Sequence, residues 1–249
     1  MTEDEARAGI GELLLTSPAL IPTREDVSES VTREKFHWGN WERHRTDVRY
    51  PPIRYPYWED YRALEGRRFT RQHVFAHFGE STRKGVISSI KWGYPTGGRP
   101  GGVWQPFSSA FRSDCLSDEV QTLRDGAPLL PKEIVFRLNR TLGGVGTATT
   151  TKIAYFARIR AYVGTETVSC LIYDSMVRRA IIQRHDEQFC ELKDVLSRYR
   201  NDISPILQEQ TYSLYLESVY AAAAAFKISA EQIELFLFRA GRVLPKINA

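Results

Sequence analysis

Residues 131–152 read PKEIVFRLNRTLGGVGTATTTK. The first half reads as an amphipathic helix, Gly143, Gly144 and Gly146 form a tight turn, and a threonine-rich run ending at Lys152 opens a second helix. Threonine is a poor helix former because it is β-branched, so a run of it at a helix start calls for a reason. Near that start its hydroxyl caps amides or donates to phosphate, and the unpaired amides and the helix dipole attract an anion. The phosphate-loop pattern G-x-x-x-x-G-K-[ST] is absent, and the glycines follow a helix where a dinucleotide fingerprint requires a strand. The unit is therefore helix, glycine turn, helix, a shape that holds DNA backbone.

Helical periodicity also dominates the rest of the chain, which predicts a mainly α protein. Helices are expected near 5–15, 69–78, 82–92, 116–125, 131–141, 147–160, 175–185, 187–200, 203–226 and 230–240, with a loop over 18–30 and a short apolar run at Val168–Tyr173. Ser229 and Gln232 have the spacing of a capping box for the last helix. YPPIRYPY, residues 50–57, is excluded from helix because proline lacks a donor and restricts its predecessor.

The composition is that of an ordinary globular chain of 249 residues, 42% hydrophobic and 26% charged, with a net charge of +4. Residues 33–71 alone hold ten Lys/Arg against six Asp/Glu, interleaved with Trp38, Trp41, Tyr50, Tyr55, Tyr57 and Trp58. Such a stretch either binds nucleic acid, through phosphate pairing and base stacking, or docks an N-terminal arm on the core. In WGYPTGGRPGG, residues 92–102, five of the 17 glycines gather with two prolines, which gives a sharply bent loop whose backbone a ligand can approach. Cys115, Cys170 and Cys190 form no ligand or disulfide pattern, and the pair His73 and His77 lacks a third metal ligand, so no metal and no cofactor is expected. The acidic start MTEDEARAG and the lack of a long apolar stretch point to a cytoplasmic protein with no membrane contact.

Leu142-Gly143-Gly144-Val145-Gly146-Thr147 resembles the L-P-G-V-G-x hairpin of the helix–hairpin–helix DNA glycosylases, with Gly143 at the usual proline. Leu171-Ile172-Tyr173-Asp174-Ser175-Met176-Val177-Arg178-Arg179 resembles their V-P-V-D-x-h-v-x-R segment, and Asp174 lies 28 residues beyond Gly146, a few more than in the common pattern. The whole chain resembles the prokaryotic branch with an 8-oxoguanine glycosylase fold, which includes antiphage glycosylases acting on glucosylated hydroxymethylcytosine. The resemblance implies two helical subdomains with the active site in the cleft, a monomer, and modified DNA, duplex with one base flipped out, as partner.

It also implies roles. Asp174, at the expected N-cap of the helix near 175–185, would be the catalytic carboxylate that stabilises positive charge on the sugar and orients water. Lys152 is the second catalytic candidate, as a Schiff-base nucleophile of a glycosylase with abasic-site lyase activity. The usual lysine position, two residues past the last hairpin glycine, is Ala148 here, so Lys152 is a displaced nucleophile, a pocket wall or a phosphate contact. Gly144, Gly146, Thr147, Thr149 and Arg178 are candidate DNA contacts, with Arg178 and Arg179 alternatively paired to Asp186 or Glu187. Trp92, Tyr94 and Trp104 either stack on or wedge beside the flipped base, or are core aromatics.

The chain divides on this reading into an N-terminal helix and arm (1–45), a first helical region with the glycine-rich loop (46–130), the helix–hairpin–helix catalytic region (131–200) and C-terminal helices packed back on the core (201–249). The expected function is excision of a modified base to leave an abasic site, the leading substrate being glucosylated 5-hydroxymethylcytosine in antiviral defence. Repair of 8-oxoguanine with lyase activity is the alternative. The rivals from other classes are a non-catalytic helix–hairpin–helix DNA-binding protein and a structural protein that binds another protein through residues 33–71.

Overall fold

The computed structural model describes residues 1–32, 34–39, 41, 57–95, 114–142, 146–198 and 205–246. Among these the elements run α1 (Glu3–Arg7), α2 (Ile10–Thr16), α3 (Arg24–Ser28), α4 (Trp58–Arg62), α5 (Arg71–Glu80), α6 (Thr82–Gly93), α7 (Cys115–Asp125), α8 (Pro131–Leu142) and α9 (Thr147–Phe156). They continue with β1 (Arg160–Val163), β2 (Glu166–Ser169), α10 (Ser175–Gln183), α11 (Cys190–Arg198), α12 (Pro205–Phe226) and α13 (Ala230–Val243). The fold is mainly α, as the periodicity predicts. Gly144 and Trp104, with residues 33, 40 and 42–56 of the 33–71 stretch and 96–102 of the glycine-rich loop, lie outside the described residues.

The expected helix boundaries are displaced where a tertiary contact or a short local signal competes with periodicity. The helix expected over 5–15 breaks at Ala8 and Gly9, both extended, because the Asp186 carboxylate accepts the Ile10 amide and caps α2 from across the fold. The expected loop 18–30 contains a 3-10 turn at Pro18–Leu20 and then α3, opened by a Thr23/Asp26 capping box. The helix expected to reach residue 160 ends at Phe156. From Arg160 the chain turns back as an antiparallel hairpin, with Arg160 opposite Ser169 and Val163 opposite Glu166, around Gly164 at φ 59°. The helix expected over 187–200 starts as a 3-10 turn at Glu187–Phe189 and becomes α11 at Cys190.

A single contiguous core runs from Ala6 to Leu244 across the expected domain boundaries. Its centre is α9, in which Ile153, Ala154, Tyr155 and Phe156 are buried along with Thr147, Thr149, Thr150 and Thr151. A helix buried all round needs its polar side chains satisfied internally. The Thr150 and Thr151 hydroxyls donate to the Thr147 carbonyl at 3.1 and 2.8 Å, and the Thr149 hydroxyl pairs with the Tyr94 hydroxyl at 2.9 Å. The hydroxyls of Thr149, Thr150 and Thr151 are thus satisfied inside the core.

Beyond the hairpin, Cys170, Leu171, Ile172 and Tyr173 run extended through the core, almost fully buried and without a sheet to pair with. Their backbone groups need other partners. Helix α12 supplies them from tyrosines on one side. Tyr220 brackets Ser169, donating to its carbonyl at 2.9 Å, and Tyr212 does the same for Leu171 at 2.9 Å. Tyr215 donates to the Ile172 carbonyl at 2.9 Å, and the Tyr173 amide donates to the Thr151 hydroxyl at 3.1 Å. Residue 174 is thereby delivered to a fixed place.

Candidate active site

Asp174 caps α10 with one carboxylate oxygen, Oδ1, which accepts the amides of Met176 at 2.9 Å and Val177 at 3.2 Å. The other oxygen, Oδ2, accepts from Lys152 Nζ at 3.2 Å. Asp174 is only 8% exposed. Burial alone would push its pKa up, but the Lys152 ammonium and the two helix amides outweigh it and hold the carboxyl below the usual carboxylate range. The negative charge also sits at the positive end of the α10 dipole.

Lys152 comes from the second turn of α9, and its stem leans toward the helix N-terminus, as helical side chains do. Its Nζ donates to the Ala148 carbonyl at 3.3 Å. The amine therefore lies against the turn that carries Ala148.

The pair lines a cavity of about 560 Å³. Gly93 and Tyr94 close it from the end of α6, Ala148 and Lys152 from α9, Asp174, Ser175 and Met176 from α10, Phe238 and Arg242 from α13, and Thr32 and Glu34 from the N-terminal arm. The α10 and α13 walls meet closely at Gly241, where an added Cβ would stand 1.9 Å from the Met176 carbonyl oxygen. Arg179 locks the same contact by donating to the Gly241 carbonyl at 3.0 Å.

Of the other residues expected at the site, Tyr94 is half-buried in the cavity wall. Trp92 is elsewhere: it is 3% exposed, packs edge-on against Phe156 at 5.1 Å and covers the Arg71 guanidinium, so it is a core aromatic. Thr149, expected at DNA, is buried with its hydroxyl bound to Tyr94. Gly146 precedes α9 at φ 82°, a conformation that favours glycine, and the Thr147 hydroxyl beside it is buried without a hydrogen-bond partner among the described residues. Arg178 lies over the Tyr173 ring at 5.7 Å. Neither it nor Arg179 pairs with Asp186, whose carboxylate is taken by Arg184 at 2.7 Å and by the Ile10 amide.

Within 33–71 the described aromatics take the packing alternative. Trp38 and Trp41 are buried and, with Tyr61, surround Lys91 Nζ at 4.2, 4.4 and 4.7 Å. His73 and His77 are engaged by the Thr70 and Ser88 hydroxyls. No group of three metal-ligating side chains occurs among the described residues.

The sequence reading missed a second buried pair. Arg71 on α5 meets Glu234 on α13 at 2.7 Å, both almost wholly buried, with the guanidinium between the Trp92 and Tyr155 rings at 5.5 and 4.9 Å. Glu234 lies close enough to Asp174 and Lys152 to feel both charges. Its partner is 163 residues away, so no local pattern announces it.

A buried carboxylate at a helix N-cap, a lysine against it and a cavity opening on both define a site suited to breaking a bond at a carbon that gains positive charge. Residues 26–238 match the family described as "Putative 8-oxoguanine DNA glycosylase OGG-like protein", and the chain belongs to it. It is thus a DNA glycosylase by family, with DNA as substrate and base excision as reaction. No curated protein and no solved structure matches it. No helix among the described residues is long and apolar enough to cross a membrane.

Proposed function

We propose that the chain excises a modified base from DNA with Asp174 and Lys152 as its catalytic pair. The observation that carries this is the 3.2 Å contact between Lys152 Nζ and Asp174 Oδ2 in the wall of the cavity. As the N-glycosidic bond breaks, the electron pair leaves with the base and C1′ of the sugar becomes cationic. Asp174, kept ionised by its surroundings, stabilises that charge and takes a proton from the attacking nucleophile. The nucleophile is either water, which gives a plain abasic site, or Lys152, which loses a proton from its ammonium to become an amine and adds to C1′; the second nitrogen proton passes through Asp174 to O4′ as the C1′–O4′ bond opens, which leaves a Schiff base and lyase activity. The DNA backbone is held at the start of α9, around the backbone of Gly146, where the helix dipole favours phosphate.

The base we favour is an oversized cytosine, glucosylated 5-hydroxymethylcytosine, which makes the role antiviral. A cavity of about 560 Å³ has room for an adduct, and Thr32, Glu34, Ser175 and Arg242 on its wall offer partners for sugar hydroxyls. The second reading, 8-oxoguanine, is favoured by the family's description. Three substrates separate them: phage DNA with glucosylated hydroxymethylcytosine, the same DNA without the sugar, and a duplex with one 8-oxoguanine. Abasic sites on the first alone support the leading reading, and sites on the third alone replace it. No sites on any, with DNA binding retained, make the protein a non-catalytic binder. Borohydride trapping of a covalent complex that disappears in Lys152→Met identifies the lyase route.

A further inference from the structure

Lys152 has no hydrogen bond along its four-carbon stem, yet its amine is held between two oxygens, the Ala148 carbonyl and Asp174 Oδ2. The stem rests on Gly93. A Cβ at that position would come 3.0 Å from Lys152 Cδ and 3.6 Å from Cε, so bare backbone is what gives the stem its channel. The next residue grips the same helix, because the Tyr94 hydroxyl pairs with the Thr149 hydroxyl at 2.9 Å, three residues before the lysine.

The segment that carries these contacts is itself tied down. The Thr32 hydroxyl donates to the Trp92 carbonyl, Trp41 Nε1 donates to the Tyr94 carbonyl at 3.0 Å and the His37 amide donates to the Pro95 carbonyl at 2.8 Å. Three donors from the N-terminal arm thus fix the carbonyls of residues 92, 94 and 95, on either side of Gly93. The clamp is built from the arm, through residues 92–95, onto the lysine stem.

We infer that Gly93 and Tyr94 are positioning residues for Lys152, and that the N-terminal arm, by strapping residues 92–95, sets where the Lys152 amine stands relative to Asp174. The inference deepens the proposed function and rests on it for its catalytic consequence, while its geometric content does not. Adding one methyl at Gly93 meets the far part of a flexible side chain, so Gly93→Ala moves the lysine and leaves the fold in place.

The test reads Lys152 directly by acylating the full-length protein with acetic anhydride across a pH series and quantifying each lysine by peptide mass spectrometry. In Gly93→Ala, Lys152 becomes several-fold more reactive, because its contact with the carboxylate lengthens, while Lys193 and Lys246 are unchanged. Tyr94→Phe, which removes only the hydroxyl, shifts Lys152 in the same direction by less and serves where Gly93→Ala folds poorly. On the DNA that the wild type cleaves, Gly93→Ala lowers the single-turnover rate by about tenfold with binding unchanged, as expected for a sub-ångström displacement of a reacting group. Unaltered Lys152 reactivity in both folded variants overturns the inference. A wild type with no excision activity refutes the proposed function instead, and the labelling result still decides the clamp.

Discussion

The two halves of the Lys152–Asp174 pair are held by different physics. On the carboxylate side, residues 169–173 are fastened through their own backbone by Tyr212, Tyr215, Tyr220 and Thr151, and Asp174 then caps a helix. On the amine side, Lys152 is held at its tip by Ala148 and Asp174, and its stem packs on Gly93. Directional bonds to backbone over-determine a position, whereas a packed alkyl stem leaves its end adjustable. Under the proposed function, the carboxylate would be the half preorganised for charge stabilisation before DNA arrives, and the amine the half that adjusts as a sugar enters.

The largest stability effect is expected behind the pair. Glu234→Gln leaves Arg71 a buried charge without its counter-ion and should destabilise the protein by about 3–5 kcal/mol, measured by denaturant unfolding. A loss below 1 kcal/mol would mean that the lysine side is not backed by this pair. Tyr215→Phe deprives the buried Ile172 carbonyl of its donor and should cost about 1–3 kcal/mol. It should also lower excision through the carboxylate side while leaving Lys152 acylation unchanged, which would separate the two halves.

Asp174→Ala removes a helix cap, which should cost about 0.5–2 kcal/mol, and leaves the buried Lys152 without its counter-ion, which adds to that cost. The smallest effect lies far from the site, where Asp26 on α3 meets Arg239 on α13 at 2.8 Å. Arg239 together with the Thr23 cap lowers Asp26 to about 2. Because the folded value lies below the unfolded one, this contribution is present above the ordinary carboxylate range and is lost as pH falls toward 2. The Tm difference between the wild type and Asp26→Asn should therefore be modest at neutral pH and close at the acid end. Both residues are well exposed, so a difference that persisted at the lowest pH would have another origin.

What the sequence disclosed follows the range of the signals. The helices at 71–80, 82–93, 115–125 and 131–142 carry their own periodicity, and the Ser229/Gln232 capping box is present as expected. The Asp174 N-cap was readable because a polar residue follows an apolar run and precedes a helix. The hairpin at 160–169 was not, since two strands of four residues are shorter than the windows in which alternation is distinguishable from helix. Trp92 and the Arg71–Glu234 pair were illegible for another reason: burial against partners distant in sequence leaves no local trace. Ala148 stood where the resembled family has its lysine, and only the direction of the Lys152 stem in three dimensions brings the amine back to that turn.

The most direct test of the central claim is single-turnover excision by Asp174→Asn beside the wild type, on whichever DNA the wild type cleaves, with binding measured on the same duplex. Asparagine keeps the shape and an oxygen for the helix cap but removes the charge. The account predicts a rate lower by about 10³-fold or more, worth roughly 4 kcal/mol of barrier, with binding within a few-fold of wild type. A variant that excises at the wild-type rate would contradict it and remove Asp174 from the chemistry.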